Sequence, residues 1–152
     1  MALKILAKEM ASLAYNFEKD LTDFTVVPIP VSKKREKTRG FNQVKIISEE
    51  IAKKFNLKIE NSILARKKET DVQHKHGREE RFKNLEEAFT ANPKKVSGKK
   101  IVLVDDILTS GATFLEASKT LYKAGAKEVK CFALSKKIKA PNYKFQVPNN
   151  DQ

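Results

Sequence analysis

The stretch from Lys100 to Thr113, KIVLVDDILTSGAT, constrains this chain more than any other. Ile101, Val102, Leu103 and Val104 form a short, largely β-branched apolar run, as expected of a strand buried on both faces of a parallel sheet. Two carboxylates, Asp105 and Asp106, follow at once. Small and hydroxyl-bearing residues come next, from Thr109 to Thr113, and then a helical pattern with Phe114, Ala117, Leu121 and Tyr122 on its apolar face. Ligands of open α/β sheets sit beyond the carboxyl ends of strands. A strand that ends in two acids and turns sharply into a helix therefore outlines a binding site.

The residue types say what such a site would hold. A phosphate monoester needs several donors converging from one side, and the backbone amides of a helix N-terminus supply them together with the favourable end of the helix dipole. Gly111 lets the backbone turn and approach closely, Ala112 is small, and Thr109, Ser110 and Thr113 add hydroxyl donors. Ionised Asp105 and Asp106 only accept hydrogen bonds, so beside a phosphate they must face a donor such as a pair of sugar hydroxyls. The segment reads as a sugar-phosphate site. The plainer alternative is a strand-to-helix turn with an N-cap and surface acids; the agreement of strand, acids, loop and helix favours the site.

VLVDDILTSGAT resembles the phosphoribosyl-pyrophosphate (PRPP) loop of the type I phosphoribosyltransferases. The resemblance implies an α/β fold, a mainly parallel central sheet flanked by helices. It implies that Asp105 and Asp106 hold the ribose 2′- and 3′-hydroxyls as the catalytic pair. Thr109, Ser110, Gly111, Ala112 and Thr113 would then hold the 5′-phosphate.

The 152 residues suffice for one domain with a proper core and are too few for two ordinary ones. We expect a single domain over residues 1–137, with its core at 24–137 and a helix at 3–17, followed by a tail at 138–152. A content of 40% hydrophobic and 33% charged residues is that of a soluble globular protein. No apolar run approaches a membrane span, and Lys4, Lys8 and Glu9 interrupt the first residues too often for a signal peptide. The single cysteine, Cys131, excludes an internal disulfide and makes a cytoplasmic location the expectation. The net charge of +12 favours polyanionic partners. A solvated basic surface, a highly phosphorylated substrate and nucleic acid all satisfy it.

Along the chain, Leu3, Leu6, Ala7, Met10, Leu13, Ala14 and Phe17 recur at helical spacing and predict one packed helix face. Phe24 to Ile29 reads as a strand leaving between Pro28 and Pro30. A basic loop follows, with Lys33, Arg35 and Arg39, and then a second amphipathic helix with Phe41, Val44, Ile47, Ile51 and Phe55. Asn42 and Gln43 suit capping. If the first strand neighbours the acid-ended one, both loops face one crevice. Residues 91–100 read as a polar turn. Val129 to Leu134 reads as a further strand that makes Cys131 an inert core thiol.

VPIP, the basic loop and RGFNQ resemble the competence-associated ComF-like phosphoribosyltransferases. The likeness continues through LARKKETDVQHKHGREERFKNLEEAF, where Arg66, Thr70, Gln73, Arg78, Arg81, Asn84, Ala88 and Phe89 fall on the family pattern. It implies that Lys33, Arg35 and Arg39 contact pyrophosphate. It also implies a lid over residues 70–81, carrying Thr70, Gln73, Arg78 and Arg81, that shields the reacting centre from water. His74 and His76, without clustered ligands, do not make a zinc site. Magnesium would arrive with the substrate phosphates. The expected activity is transfer of phosphoribosyl from PRPP to a nucleobase-like acceptor. The alternative is a non-catalytic PRPP sensor or single-stranded-DNA-binding factor in DNA uptake; a homodimer is a candidate assembly. ComF-like proteins usually carry a cysteine-rich zinc-binding region ahead of this domain, and this sequence contains none.

Overall fold

The computed structural model describes residues 2–17, 21–32, 41–67 and 88–136. Helix α1 (Ala2–Phe17) precedes strand β1 (Phe24–Pro28), and helix α2 (Gln43–Phe55) leads to β2 (Lys58–Ile59). A short antiparallel pair, β3 (Leu64–Arg66) and β4 (Phe89–Ala91), and a one-turn helix α3 (Pro93–Val96) come next. The chain then forms β5 (Lys100–Leu108), α4 (Ala112–Lys123) and β6 (Glu128–Lys136). The four longer-range strands lie in the order β2-β1-β5-β6, and every neighbouring pair is parallel. This is the expected mainly parallel sheet with helices packed against it.

Alternation along β1 and β5 builds two cores. Val26, Val102 and Val104 meet Val44, Ile47 and Ile51 of α2 and Ala7 of α1 on one face. Val27, Ile101 and Leu103 meet Phe114, Ala117 and Leu121 of α4 on the other, joined by Ile63, Leu64, Phe89 and Val96. Side chains of β5 point to both faces in turn and are buried on each, which is why its apolar run is unbroken. Asn42 caps α2 by accepting the backbone N–H of Lys45 at 3.0 Å, as its position suggested.

The structure differs from the sequence-based expectation in several places. β5 does not stop at the acids: Asp105, Ile107 and Leu108 continue to pair with Ala133, Ser135 and Lys136 of β6. Residues 91–100 are no simple turn, because Ala91 ends β4 and α3 buries Val96 completely. Leu6, Phe41 and Tyr122 carry helical spacing yet lie exposed. Cys131 is likewise exposed, because its strand is the edge of the sheet among the described residues.

Candidate functional site

Strand order places the site. From β1 the chain moves outward to β2, whereas from β5 it moves outward the other way to β6, so the direction of winding reverses between β1 and β5. Such a switch point leaves an open crevice beyond the carboxyl ends of the two strands. β1 and β5 run in register from Phe24↔Lys100 to Pro28↔Val104. Ile29 adds a last rung, donating its N–H to the Val104 carbonyl at 2.8 Å. Past Val104, β5 pairs on its β6 side only. Asp105 and Asp106 occupy that overhang, half-buried at the lip of the crevice.

Asp105 Oδ1 accepts the backbone N–H of Asp106 at 2.8 Å. That bond orients the first carboxyl along the strand. Half-exposure at a strand end keeps both groups within reach of a ligand hydroxyl, where their oxygens can only accept.

The loop after them closes into α4. Gly111 stands at the N-cap with φ +77° and ψ −5°, a left-handed conformation that a side chain makes costly, and as a glycine it makes no side-chain cap bond of its own. Ala112, buried, donates its N–H to Ser110 Oγ at 3.4 Å, and Leu115 donates to the Gly111 carbonyl at 2.9 Å. No acid stands in the first turn of α4. Thr109 is exposed, and Ser110 and Thr113 are half-buried. The result is an electropositive helix start rimmed by hydroxyls, one short loop beyond the strand that carries the two carboxylates. Chemically it can take an anion at one end and vicinal hydroxyls at the other.

The fold also brings up residues that periodicity did not single out. Arg66, at the end of β3, reaches across to the Pro30 carbonyl just past β1, Nη1 at 3.4 Å, with its guanidinium 5.5 Å from the centroid of Phe89. Ile107 is exposed beside the acids. Position in the motif marked Arg66; nothing short of the strand pairing could mark its proximity to Pro30. Lys33, Arg35 and Arg39 of the basic loop, and Thr70, Gln73, Arg78 and Arg81 of the candidate lid, lie outside the described residues, as do His74 and His76. Lys67 and Ala88, the described residues on either side of the stretch 68–87 that includes the candidate lid, are joined directly, Lys67 donating its N–H to the Ala88 carbonyl at 2.7 Å.

Among the described residues no group of three or more His, Cys, Asp or Glu could hold a metal ion. The donors the site does offer are two adjacent carboxylates. Such hard oxygen ligands fit magnesium that keeps its waters and is held mainly by substrate phosphates, and they do not form a protein cage. No helix among the described residues is long and apolar enough to cross a membrane.

Comparison with known proteins agrees with this geometry. Residues 4–144 match the family described as the phosphoribosyl transferase domain. Over 130 residues the chain is 36% identical to competence protein ComFC of Streptococcus pneumoniae, covering 86% of this chain and 56% of that one. Over 113 residues it is 28% identical to the DNA utilization protein YhgH of Escherichia coli, covering 74% and 49%. The chain thus spans about half the length of the curated relatives it matches. Among solved structures, glutamine PRPP amidotransferase from B. subtilis, complexed with ADP and GMP, superposes with a TM-score of 0.58. That match has 21% identity over 88% of this chain and 26% of the other, a likeness of fold. With the parallel sheet, the two acids on the overhang of β5 and the glycine-capped helix in place, this match over nearly the whole sequence makes the chain a member of the ComF-like type I phosphoribosyltransferase family.

Proposed function

We propose that the crevice between β1 and β5 binds PRPP and that the protein transfers its phosphoribosyl group to a nucleobase-like acceptor. The observation that carries this reading is the overhang of β5. It leaves two half-exposed carboxylates on the overhang, a short loop ahead of a helix start whose N-cap is a glycine. Asp105 and Asp106 accept hydrogen bonds from the ribose 2′- and 3′-hydroxyls and fix the ring. Residues 109–113 enclose the 5′-phosphate with backbone amides and hydroxyls. With both ends of the sugar held, C1 is presented to the acceptor in one orientation. As the bond from C1 to the diphosphate oxygen breaks, positive charge grows on the ribose, and the two nearby carboxylates favour it. The acceptor nitrogen forms the new bond to C1 and gives up its proton to solvent, and diphosphate departs toward the basic loop that carries Lys33, Arg35 and Arg39. Magnesium, bound with the diphosphate, would neutralise the charge that builds on the leaving group. Residues 70–81 serve as the lid that excludes competing water.

The test is calorimetry with PRPP and magnesium. Asp105→Asn together with Asp106→Asn weakens binding at least tenfold while leaving the thermal transition in place; unchanged affinity removes the assigned role. A screen of nucleobases for diphosphate release then identifies the acceptor. The second reading, a PRPP sensor or a single-stranded-DNA-binding factor without turnover, is favoured by the +12 charge and by the names of the relatives. Release of diphosphate with any base would exclude its non-catalytic form.

A further inference from the structure

The exit of β1 is held from outside the main sheet. β1 pairs with β5 as far as Pro28↔Val104, and after the rung made by Ile29 comes Pro30, which has no N–H to offer a ladder. Its carbonyl accepts Arg66 Nη1 at 3.4 Å, from the β3–β4 hairpin whose Leu64 and Phe89 share the core on the α4 face of the sheet.

The hairpin gives Arg66 a firm base. β3 and β4 pair from Leu64↔Ala91 to Arg66↔Phe89, and the Lys67 N–H carries the pairing on to the Ala88 carbonyl. Leu64, Ala88 and Phe89 are buried. The guanidinium lies 5.5 Å from the centroid of Phe89, its register partner on the facing strand. At 3.4 Å the bond to Pro30 is long, so the paired strand and the ring beneath the guanidinium carry much of the placement. A planar guanidinium suits that task, because it stacks on a ring, is more weakly hydrated than an ammonium and loses little freedom per hydrogen bond formed.

Position gives the contact its consequence. Pro30 stands at the lip of the crevice, facing the overhang of β5 that carries Asp105 and Asp106, and three residues ahead of Lys33. The ribose-phosphate half of the site is built on β5 and the start of α4, whereas the diphosphate half lies on the chain that leaves β1. A tie on the β1 side therefore bears on one half of the ligand and leaves the other alone.

We propose that Arg66 is a positioning residue for the diphosphate half of the crevice. It acts through the Pro30 carbonyl, which fixes the point from which the chain departs toward Lys33, Arg35 and Arg39, and it does not itself touch the ligand. This inference rests on the reading of the crevice as a PRPP site.

Calorimetry with the two halves of the ligand taken separately, inorganic diphosphate with magnesium and ribose 5-phosphate, tests it. Wild-type protein binds both. Arg66→Met keeps an unbranched stem and loses the guanidinium; diphosphate binding weakens about tenfold, and ribose 5-phosphate stays within about twofold of wild type. Phe89→Leu keeps the core apolar and removes the ring beneath the guanidinium. Because Phe89 is buried, a loss of about threefold for diphosphate alone reports a displaced guanidinium. Thermal midpoints on the same samples show that each variant is folded, and Arg66→Gln, which retains a donor, replaces Arg66→Met if that variant is not. Equal losses for the two ligands mark a merely structural role and overturn the proposal. A loss of diphosphate affinity in Arg66→Met beside an unchanged Phe89→Leu makes Arg66 a direct ligand contact and overturns it too. Wild-type binding of both ligands with no change in Arg66→Met overturns the positioning role alone, whereas a wild-type protein that binds neither removes the PRPP reading and this inference with it.

Discussion

Single residues show where local chemistry and packing pull apart. Ser48 sits on the buried face of α2 with 0% exposure, and among the described residues its hydroxyl oxygen has no hydrogen-bond partner. A buried hydroxyl without a partner loses its hydration and regains nothing. Ser48→Ala is therefore expected to leave stability unchanged or raise it by up to about 1 kcal/mol. Urea unfolding at constant m-value reads this, and a clear loss would reveal a partner. Cys131 shows the opposite case, a residue whose type suggested the interior and whose strand sits at the sheet edge. Neighbouring atoms still desolvate its thiol, which raises the pKa, and the hydrogen bond with Ser118, at 3.7 Å, partly opposes the rise. A raised pKa leaves less thiolate at neutral pH, so iodoacetamide should alkylate Cys131 more slowly than a free cysteine, with the pH–rate midpoint displaced upward. Ser118→Ala displaces it further. A midpoint at or below that of free cysteine would contradict both expectations.

At the level of elements, the junction between β5 and α4 couples stability to the site. Gly111 adopts φ +77° where the chain turns into the helix. A Cβ at that backbone conformation costs about 1–2 kcal/mol. Gly111→Ala is expected to lower the thermal midpoint by several degrees and to weaken PRPP binding by more than the stability loss alone would cause. Differential scanning calorimetry and PRPP titration on the same sample separate the two effects. The junction was legible from residues 100–113 because each type there has a narrow structural meaning: β-branched run, acids, glycine. β2, β3 and β4 were not, since two- and three-residue strands carry too few positions to establish a period of two. α3 is a single turn whose one buried side chain, Val96, stands among lysines, so composition hid it.

At the scale of the molecule, β5 is the wall that both cores share. Leu103 is fully buried between β1, β6 and α4, and Leu103→Ala would leave a cavity costing about 2–5 kcal/mol. Against a total of about 5–15 kcal/mol for a domain, that change should shift the denaturant midpoint strongly and loosen Asp105, two residues on; hydrogen exchange at β5 amides reads the loosening. The sequence by itself determined the buried apolar run that carries the two acids, the loop and helix that follow it, and the helices α1, α2 and α4, because these depend on residue type and local spacing; it did not show that the strand runs on past the acids to Leu108. Only the tertiary structure decided that β1 lies beside β5, that Asp105 and Asp106 therefore overhang an open switch point, and that Arg66 reaches the exit of β1 from a separate hairpin. Strand order is set by which apolar faces can be buried together across the whole chain, and local periodicity carries no record of that choice.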